Sequence, residues 1–230
     1  MAARKQDVEP LARDRIVDAA IRIIDAEGLD ALSMRRLGRE LGVNPMAAYH
    51  HIPSKSALYD LVLEAIMSGV DTSGIDPATP PAEQLKQAAR AYRSAILRHR
   101  RAVPVFLARS LRSVVALRPV EPFLGILFAA GFTPDEALAA FDVVAHFILG
   151  GVVGHLDSGD PGTRDQRGFD ALDATEFPHT SRLLAEGHYV GPDAEFEFGL
   201  DAMVHGLLHE PRRELEGGTP LGSVPPPTPG

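Results

Sequence analysis

The chain has 230 residues, a formal net charge of -8 and no cysteine. This length allows one or two domains with a sizeable apolar core. The lack of cysteine excludes disulfide frameworks, thiolate zinc sites and cysteine nucleophiles. No N-terminal stretch resembles a signal peptide, and we expect the longest apolar run, Val143 to Leu156, to be too short to span a bilayer. A soluble cytoplasmic protein with no membrane partner is therefore expected.

The negative charge is unevenly distributed along the chain. Residues 1–60 hold nine basic and nine acidic side chains, so the whole deficit lies in residues 61–230. Residues 33–55 carry Arg35, Arg36, Arg39 and Lys55 against Glu40 alone. A locally basic face on an acidic body is compatible with DNA binding and discourages non-specific wrapping. For Arg36 and Arg39 taken singly, a solvated helix face explains the charge equally well.

Two amphipathic helices are predicted first in the chain. The first runs from Arg13 to Glu27, with Ile16, Ala20, Ile23 and Ile24 facing one way, and ends at Gly28. Ser33 can cap the second helix, whose apolar positions recur at helical spacing up to the Gly42 terminator. Those apolar positions are Met34, Leu37 and Leu41.

A short helix follows the turn at Gly42. Asn44 is a suitable N-cap and Pro45 suits the first helical position, so a helix over Pro45–His51 is predicted, with Pro53 as its stop. A longer helix is predicted over Ser54–Gly69, on an apolar stripe of Leu58, Leu61, Val62, Ala65 and Ile66. A short helix held by a crossing scaffold helix has the geometry of a helix-turn-helix DNA reader. Any small three-helix bundle with a glycine-containing turn is the alternative.

The rest of the chain also shows helical periodicity and no alternating strand pattern, so the fold class is predicted to be all-α. Predicted helices cover Ala82–Arg98, Val103–Ser113, Val120–Gly131, Pro134–Leu156, His179–Glu186 and Pro192–Glu210. We divide the chain into a DNA-binding domain over residues 1–70, a ligand-binding and dimerisation domain over 71–216 and a proline-rich tail over 217–230. A proline- and glycine-rich linker over Asp71–Pro81 and a polar loop over Ser158–Pro178 are also expected.

The helix predicted over Pro134–Leu156 is apolar on nearly every side. Such a helix needs two packing partners. Gly150, Gly151 and Gly154 each disfavour a helix by about 1 kcal/mol relative to Ala, but they permit another helix to approach closely.

Several segments resemble the tetracycline-repressor (TetR) family of one-component regulators. The resemblance rests on AEGLDALSMRRLGRELGV, MAAYHHI and SKSALYDLV in the head, and it continues in GFTPDEALAAFDVVAHFILGGVV and AEFEFGLDAMVHGLL in the body. It implies a repressor that binds a palindromic operator as a homodimer and is released by a small-molecule inducer. It also implies that Pro134–Leu156 and Pro192–Glu210 pair with their copies in a four-helix bundle. A purely intramolecular core is the alternative.

The head residues expected at DNA surround the turn. The helix Pro45–His51 should enter the major groove, where Met46, Ala47 and Ala48 can meet thymine methyl groups and Arg35 can read a base. Phosphate contacts are expected from Tyr49, His51 and Lys55, helped by Arg35 and Ser33. The full set of predicted DNA-binding residues is Ser33, Arg35, Pro45, Met46, Ala47, Tyr49, His50, His51 and Lys55.

The resemblance carries the drug-binding positions of the tetracycline-responsive subgroup onto this chain with several changes. The metal-binding histidine falls at Phe106, the assisting acidic residue at Gly154, and the drug's amide-binding pair at Asp71 and Ala88. We therefore predict no metal site and no cofactor. The inducer is expected to be a largely apolar small molecule. Its predicted contacts are Tyr92, Phe106, Arg109, His146 and Phe147, although Arg109 could equally be a surface or structural arginine.

Other functions were weighed against this one. A repressor that responds to a tetracycline-like polyketide or antibiotic without metal is an alternative. The sequence offers no phosphate-binding Gly-Lys loop, no Gly-x-Ser-x-Gly elbow and no His-Glu-x-x-His motif, so a helical enzyme is not predicted. A structural dimerisation module with a degenerate head is a third interpretation. Operator binding that a small molecule releases distinguishes a regulator from both.

Overall fold

The computed structural model describes residues 13–108, 114–154, 172–186 and 190–209, and all regular elements in these ranges are helical. The all-α prediction is therefore confirmed. The α-helices are α1 Arg13–Glu27, α2 Met34–Leu41, α3 Pro45–Tyr49, α4 Lys55–Ser68, α5 Pro81–Arg98, α6 Val103–Ala108, α7 Val114–Leu117, α8 Val120–Ala129, α9 Pro134–Gly154, α10 Pro178–Glu186 and α11 Pro192–His209. Two 3₁₀ turns, Leu29–Ala31 and Arg100–Ala102, were not predicted.

The head forms where the local capping signals place it. The Ser33 hydroxyl accepts a hydrogen bond from the Arg36 N–H at 3.2 Å, and the Ser54 hydroxyl accepts one from the Ala57 N–H at 3.0 Å. The Asn44 side chain accepts one from the Met46 N–H at 2.9 Å. Each cap satisfies a backbone donor that the first helical turn leaves free. The predicted starts of α2, α3 and α4 are confirmed.

The turn between α2 and α3 depends on Gly42, which adopts the left-handed conformation with φ 69°. Helix α3 ends at Tyr49, two residues before the predicted His51. The reason is the next apolar residue, Ile52, which is fully buried in the head and donates its N–H to the Ala48 carbonyl at 3.0 Å. The chain therefore turns inward before Pro53 and leaves α3 very short.

In the body, α5 packs against α8, α9 and α11 around one apolar core. Three ion pairs fasten α11 to α5, at 2.5 to 2.8 Å, and they link Lys86 to Asp201, Arg90 to Glu197 and Arg93 to Asp193. The pairs ascend α5 while they descend α11, so the two helices run antiparallel. Exposed pairs of this kind add little stability singly, but together they fix the register of two helices.

The other body helices agree with the prediction at their starts, and several predicted ends lie beyond what the structure describes. Helix α6 is the first part of the predicted Val103–Ser113, whose remainder from residue 109 onward lies outside the described residues. The short α7 was not predicted. Helices α8, α10 and α11 begin within one residue of the predicted positions. The tail over 217–230 and residues 158–171 of the predicted loop also lie outside the described residues.

Helix α9 has 21 residues with a mean hydropathy of 1.9 over its most apolar part, so by length and composition alone it could cross a bilayer. The apolar run Val143 to Leu156, which was expected to be too short, leaves out the first nine residues of this helix. In the structure α9 packs against α5, α6, α8 and α11. Its inward residues are Ala137, Ala140, Val144, Ile148, Leu149 and Val152, all buried.

The predicted close approach at the glycines of α9 has no counterpart among the described residues of the chain. A Cβ atom added at Gly150, Gly151 or Gly154 would meet nothing within 4 Å. The tight contact lies instead in α11, where a Cβ atom on Gly199 would lie 2.6 Å from Cζ of Phe147. That ring stacks on Phe196 with centroids 5.6 Å apart and an interplanar angle of 16°. Gly199 therefore permits α11 to pack on α9.

We expect Gly199→Ala to lower the stability of the folded protein. Overpacking against a stacked ring costs about 1–3 kcal/mol, which outweighs the ~1 kcal/mol by which Ala improves helix propensity. Gly125→Ala in α8 is the matched control, because a Cβ atom there meets nothing within 4 Å. Thermal unfolding should show a lower Tm for the first variant and an unchanged or higher Tm for the second. Equal effects would contradict the assigned contact.

Candidate DNA interface and ligand cavity

The surface around α3 presents the side chains that were predicted to meet DNA. Met46 is 63% exposed, Tyr49 is 41% exposed, and His50 and His51 are also exposed. Pro45 and Ala47 are half-buried, whereas Ala48 is fully buried in the head core. The prediction that Ala48 meets thymine methyl groups was therefore wrong, because α3 turns that face inward. The remaining side chains of α3 are accessible to a partner.

Three arginines on α2 have different environments. Arg36 donates to Glu27 at 2.7 Å and to Glu40 at 2.9 Å, so it ties α2 to the end of α1. Its hydrogen bond lowers the pKa of the Glu27 carboxyl, which therefore stays charged. Arg35 and Arg39 lie one turn apart and are exposed. The basic face of the head therefore consists of Arg35 and Arg39, and Arg36 belongs to its scaffold.

Lys55 and Ser33 stand at the starts of the two helices that flank α3. The Lys55 ammonium is exposed and lies 5.4 Å from the centroid of the Tyr59 ring. The exposed Ser33 hydroxyl accepts the capping N–H described above and keeps its own O–H free to donate. All nine predicted DNA-binding residues thus have accessible surface on elements adjoining the turn.

In the body, a cluster of aromatic rings surrounds Tyr92 of α5. The Tyr92 ring meets Phe141 edge-on with centroids 6.0 Å apart, and Phe141 meets Phe123 in the same way at 5.6 Å. Only 6% of Tyr92 is exposed, and its hydroxyl has no hydrogen-bond partner among the described residues. Burial raises the pKa of the Tyr92 phenol above its ordinary value, so the group stays protonated at neutral pH. It therefore carries an unused donor inside the body.

A second aromatic contact lies between α5, α9 and α11. Phe147 and Phe196 stack there, and the Arg93 guanidinium lies over the Phe196 ring at 4.4 Å from its centroid. A cavity of about 60 Å³ opens beside them, lined by residues that include Leu97, Phe147, Ile148, Gly151 and Phe196. It adjoins an open surface groove of about 410 Å³ along α5 and α11. The cavity alone is well below the ~300–1,000 Å³ of typical ligand sites.

The predicted ligand-binding residues are therefore not all in one place. Tyr92 lies in the first aromatic cluster, Phe147 lies in the second, and His146 is exposed on α9. Phe106 is half-buried and packs against both the head core and the body core. Arg109 lies outside the described residues, so its predicted role stays a prediction.

The sequence reasoning missed Phe141 and Phe123 as neighbours of Tyr92. A signal existed for the first, because Phe141, Val144 and Ile148 follow one another at i, i+3 and i+7 on one face of α9. Phe147 falls off that face and meets α11 instead. No sequence signal places Phe123, which reaches the cluster from α8.

Family models match both parts of the chain. Residues 16–62 match the family described as bacterial regulatory proteins of the tetR family. Residues 76–210 match the tetracyclin repressor-like C-terminal domain. The two matches meet near the linker that precedes α5, and together they include every helix that the structure describes except the first residues of α1 and the last of α4.

Individual relatives agree with these matches. The chain is 29% identical to the HTH-type transcriptional repressor DrrR1 of Streptomyces coeruleorubidus, with 86% of this chain and 77% of that protein covered. It is 29% identical to the tetracycline repressor protein class G of Vibrio anguillarum, covering 86% and 93%. The crystal structure of ActR from Streptomyces coelicolor in complex with actinorhodin has a TM-score of 0.76 and 30% identity, covering 87% and 98%.

These matches establish the class of protein. TetR family regulators are in general non-enzymatic, soluble transcription factors that bind operator DNA and small-molecule ligands as dimers. The helix-turn-helix head, the helical body and the relatives all agree with this description. The chain belongs to the TetR family and is a ligand-responsive, DNA-binding transcriptional repressor.

Proposed function

We propose that this repressor acts in the cytoplasm as a two-fold symmetric homodimer on a palindromic operator, and that a largely apolar aromatic molecule releases it without a metal ion. The observation that carries the ligand proposal is the buried Tyr92 hydroxyl among aromatic rings, which has no hydrogen-bond partner in the part of the chain that the structure describes. An unsatisfied buried hydroxyl costs about 1–3 kcal/mol. A ligand that accepts its hydrogen bond recovers that free energy on binding.

In this proposal α3 enters the major groove and its side chains limit what it can read. Met46 and Ala47 offer only apolar contacts, such as those with thymine methyl groups. The exposed Arg35 can form paired hydrogen bonds with a guanine, because its guanidinium is free of the ion pairs that hold Arg36. Tyr49 and Lys55, with His50 and His51 nearby, then hold the phosphates on either side. These contacts fix the register of the head on the duplex.

The proposed dimer buries the outward faces of α9 and α11. Phe198 on α11 is 79% exposed, and Leu138, Val143 and Val153 on α9 are 40–49% exposed. Contiguous apolar side chains of this size on a soluble protein mark an interface. Two heads joined in this way would meet half-sites separated by about 34–36 Å, one turn of the double helix.

The proposed ligand contacts are the rings around Tyr92, with Phe106 at the head side and Arg109 and His146 as candidate polar contacts. Phe106 stands where the tetracycline-responsive subgroup has its metal-binding histidine, and a phenyl ring cannot bind a metal ion. Structures of ActR with actinorhodin and with (S)-DNPA, at 30% and 31% identity, support a small organic ligand for this chain.

A tetracycline-type ligand is the second candidate. It is favoured by the class G tetracycline repressor among the relatives and by a TetR variant from Acinetobacter baumannii in complex with minocycline, at 25% identity and a TM-score of 0.64. Phe106 and Gly154 require that such a ligand bind without the metal contacts of that subgroup. The two candidates differ in their dependence on magnesium.

Release requires that the ligand prefer a head arrangement that does not fit the operator. A hundredfold loss of operator affinity needs about 2.7 kcal/mol of differential binding between the two arrangements. Helix α4 can transmit this change, because it packs against α1 in the head and against α7 in the body. We propose that α4 moves with the ligand and turns the head.

We expect Lys55→Ala to weaken binding to all operator variants by a similar factor and to reduce the salt dependence by about one charge. The reason is that a lysine on a phosphate carries no base information. Arg182→Ala on α10 removes the same charge far from the head and serves as control. Fluorescence anisotropy at several salt concentrations measures both effects. A loss confined to one base position would refute the phosphate role.

We expect Phe198→Glu to dissociate the dimer, because a carboxylate would be buried in an apolar interface. Phe128→Glu is the matched control, since Phe128 is 49% exposed and belongs to α8 instead of the two helices of the proposed interface. Sedimentation at micromolar concentration should give a monomer for the first variant and a dimer for the second. A wild-type monomer, or a dimeric Phe198→Glu variant, would contradict the proposed interface.

We expect Tyr92→Phe to raise the Tm of the ligand-free protein, because it removes an unsatisfied buried hydroxyl without changing the ring. The same variant should bind the releasing compound about fivefold more weakly, since it loses one hydrogen bond of about 1 kcal/mol. Tyr59→Phe on α4 is the control. Actinorhodin, (S)-DNPA and minocycline, each with and without magnesium, form the test panel in an operator-release assay.

Three results would count against this ligand proposal. A lower Tm in ligand-free Tyr92→Phe would show that the hydroxyl is paired. Unchanged affinity for a compound that releases the operator would place the ligand elsewhere. Release by micromolar minocycline only in the presence of magnesium would favour the tetracycline-type mechanism.

A further inference from the structure

The last residue of α5 and the residues after it make three polar contacts, two with α1 of the head and one with the end of α4. Arg98 donates from Nη2 to the Gly69 carbonyl at 2.6 Å, and Arg101 donates from Nη1 to the Ala26 carbonyl. His99 Nδ1 lies 2.9 Å from Oδ2 of Asp25. We call the segment Arg98–Ala102 the joint.

Both arginines of the joint bind the carboxyl ends of helices. One is α1 of the head, and the other is α4, which packs in the head core near its start and in the body core near its end. Ala26 belongs to the last turn of α1, and Gly69 is the C-cap of α4. The last four carbonyls of a helix have no partner within it, and they carry the negative end of the helix dipole. A guanidinium placed there donates a hydrogen bond to a free carbonyl and also interacts favourably with the negative end of the helix dipole. The joint thus attaches to two separate helix ends.

The same segment also contributes to the apolar core of the head. Ala102 is 1% exposed and packs within the cluster formed by the head helices, although it follows α5 in the chain. The 3₁₀ turn Arg100–Ala102 contacts α1 directly. The body therefore holds the head by an apolar insertion flanked by polar contacts on both sides.

We infer that Arg98 and Arg101 are positioning residues that set the orientation of the DNA-reading head on the body. A single attachment leaves a domain free to swivel, whereas attachments at the ends of both α1 and α4 fix its rotation. Neither guanidinium is available to a phosphate while it binds a backbone carbonyl. The orientation of the head decides which separation of half-sites the dimer can span, so the joint affects operator choice without touching DNA.

This inference concerns the ligand-free protein and does not depend on the proposed ligand. One extension does rest on the proposed ligand site: Phe106 lies one helical turn after Ala102 and packs against both cores. A ligand that displaces Phe106 would move the joint, in addition to α4.

The test measures head orientation directly in the full chain. The chain has no cysteine, so Asp18→Cys in α1 and Glu121→Cys in α8 introduce the only two labelling sites. Spin-labelled chains diluted into unlabelled protein give the distance distribution between head and body by pulsed electron paramagnetic resonance. Arg101→Ala and Arg98→Ala are compared with Arg100→Ala, the matched control, whose exposed side chain makes no hydrogen bond or ion pair with the described residues.

We expect one narrow distribution for the wild type and for Arg100→Ala, and a broader one for Arg101→Ala and Arg98→Ala. A DNA duplex is first selected from a random pool by the wild type, and a second duplex is made from it by moving the half-sites apart by one base pair. The ratio of the affinities for these two duplexes should fall about tenfold in both joint variants. Asp25→Asn, which weakens the His99 contact from the head side, should broaden the distribution without removing an arginine. Arg101→Lys should restore part of the discrimination, because it keeps one charged donor.

Unchanged distance distributions in Arg98→Ala, Arg101→Ala and Asp25→Asn would overturn the inference. So would a broadened distribution in Arg100→Ala equal to that in Arg101→Ala, since that result would assign the effect to net charge. Thermal unfolding of each variant distinguishes a changed head orientation from a loss of folding. If an arginine variant fails to fold, the distance distribution of Asp25→Asn tests the inference in its place.

Discussion

The contact between two apolar cores is the constraint on which the rest of this structure depends. One core belongs to the head and the other to the body, and Leu29, Tyr59 and Phe106 pack against both. Well-packed interiors transmit displacement because they have little free volume. Among the described residues, a change in the body can therefore reach the DNA-reading surface through this shared layer, through α4 and through the helix ends beside them. The family's function, DNA binding that responds to a ligand, requires such a route.

The head and the body differ in how completely their polar groups find hydrogen-bond or ion-pair partners within the protein. In the head, caps, ion pairs and a compact apolar core account for the polar groups discussed above, and Arg36 is fully committed to Glu27 and Glu40. In the body, the Tyr92 hydroxyl is buried without a partner among the described residues. Binding sites commonly hold polar groups that only a ligand satisfies, at a cost in the stability of the free protein. A DNA-binding head with satisfied polar groups and a body with an unsatisfied one agree with a rigid head that is coupled to a ligand-responsive body.

The head could be predicted almost completely from the sequence because its boundaries are set by local chemistry. Ser33, Asn44 and Ser54 each cap a helix through a contact two or three residues away. Gly42 supplies the one left-handed residue that the turn needs. Such signals involve neighbours in the chain, so a single sequence contains them. Helix α1 was predicted with the bounds that the structure shows.

What the sequence could not supply depends on distant partners. Arg35 and Arg36 are adjacent and chemically identical, and only the position of Glu27, nine residues before Arg36, commits one of them to the scaffold. Ala48 was expected at DNA and lies in the core, because the rotation of so short a helix is fixed by the chain around it. Tyr92 and Phe147 were expected in one pocket, and in the structure each takes part in a different aromatic contact, Tyr92 with Phe141 and Phe147 with Phe196.

In this protein, we propose, a compound bound in the body releases DNA by preferring another head arrangement. Thermodynamic linkage makes this claim measurable, because operator and compound must weaken each other by the same factor. Calorimetry of the releasing compound from the test panel, on free protein and on protein saturated with the selected duplex, measures one side of this relation. The account predicts that the compound binds the DNA complex more weakly by the same factor by which it weakens operator affinity. Equal affinity for free and DNA-bound protein would mean that the compound in the body does not weaken operator binding, and it would contradict the proposal.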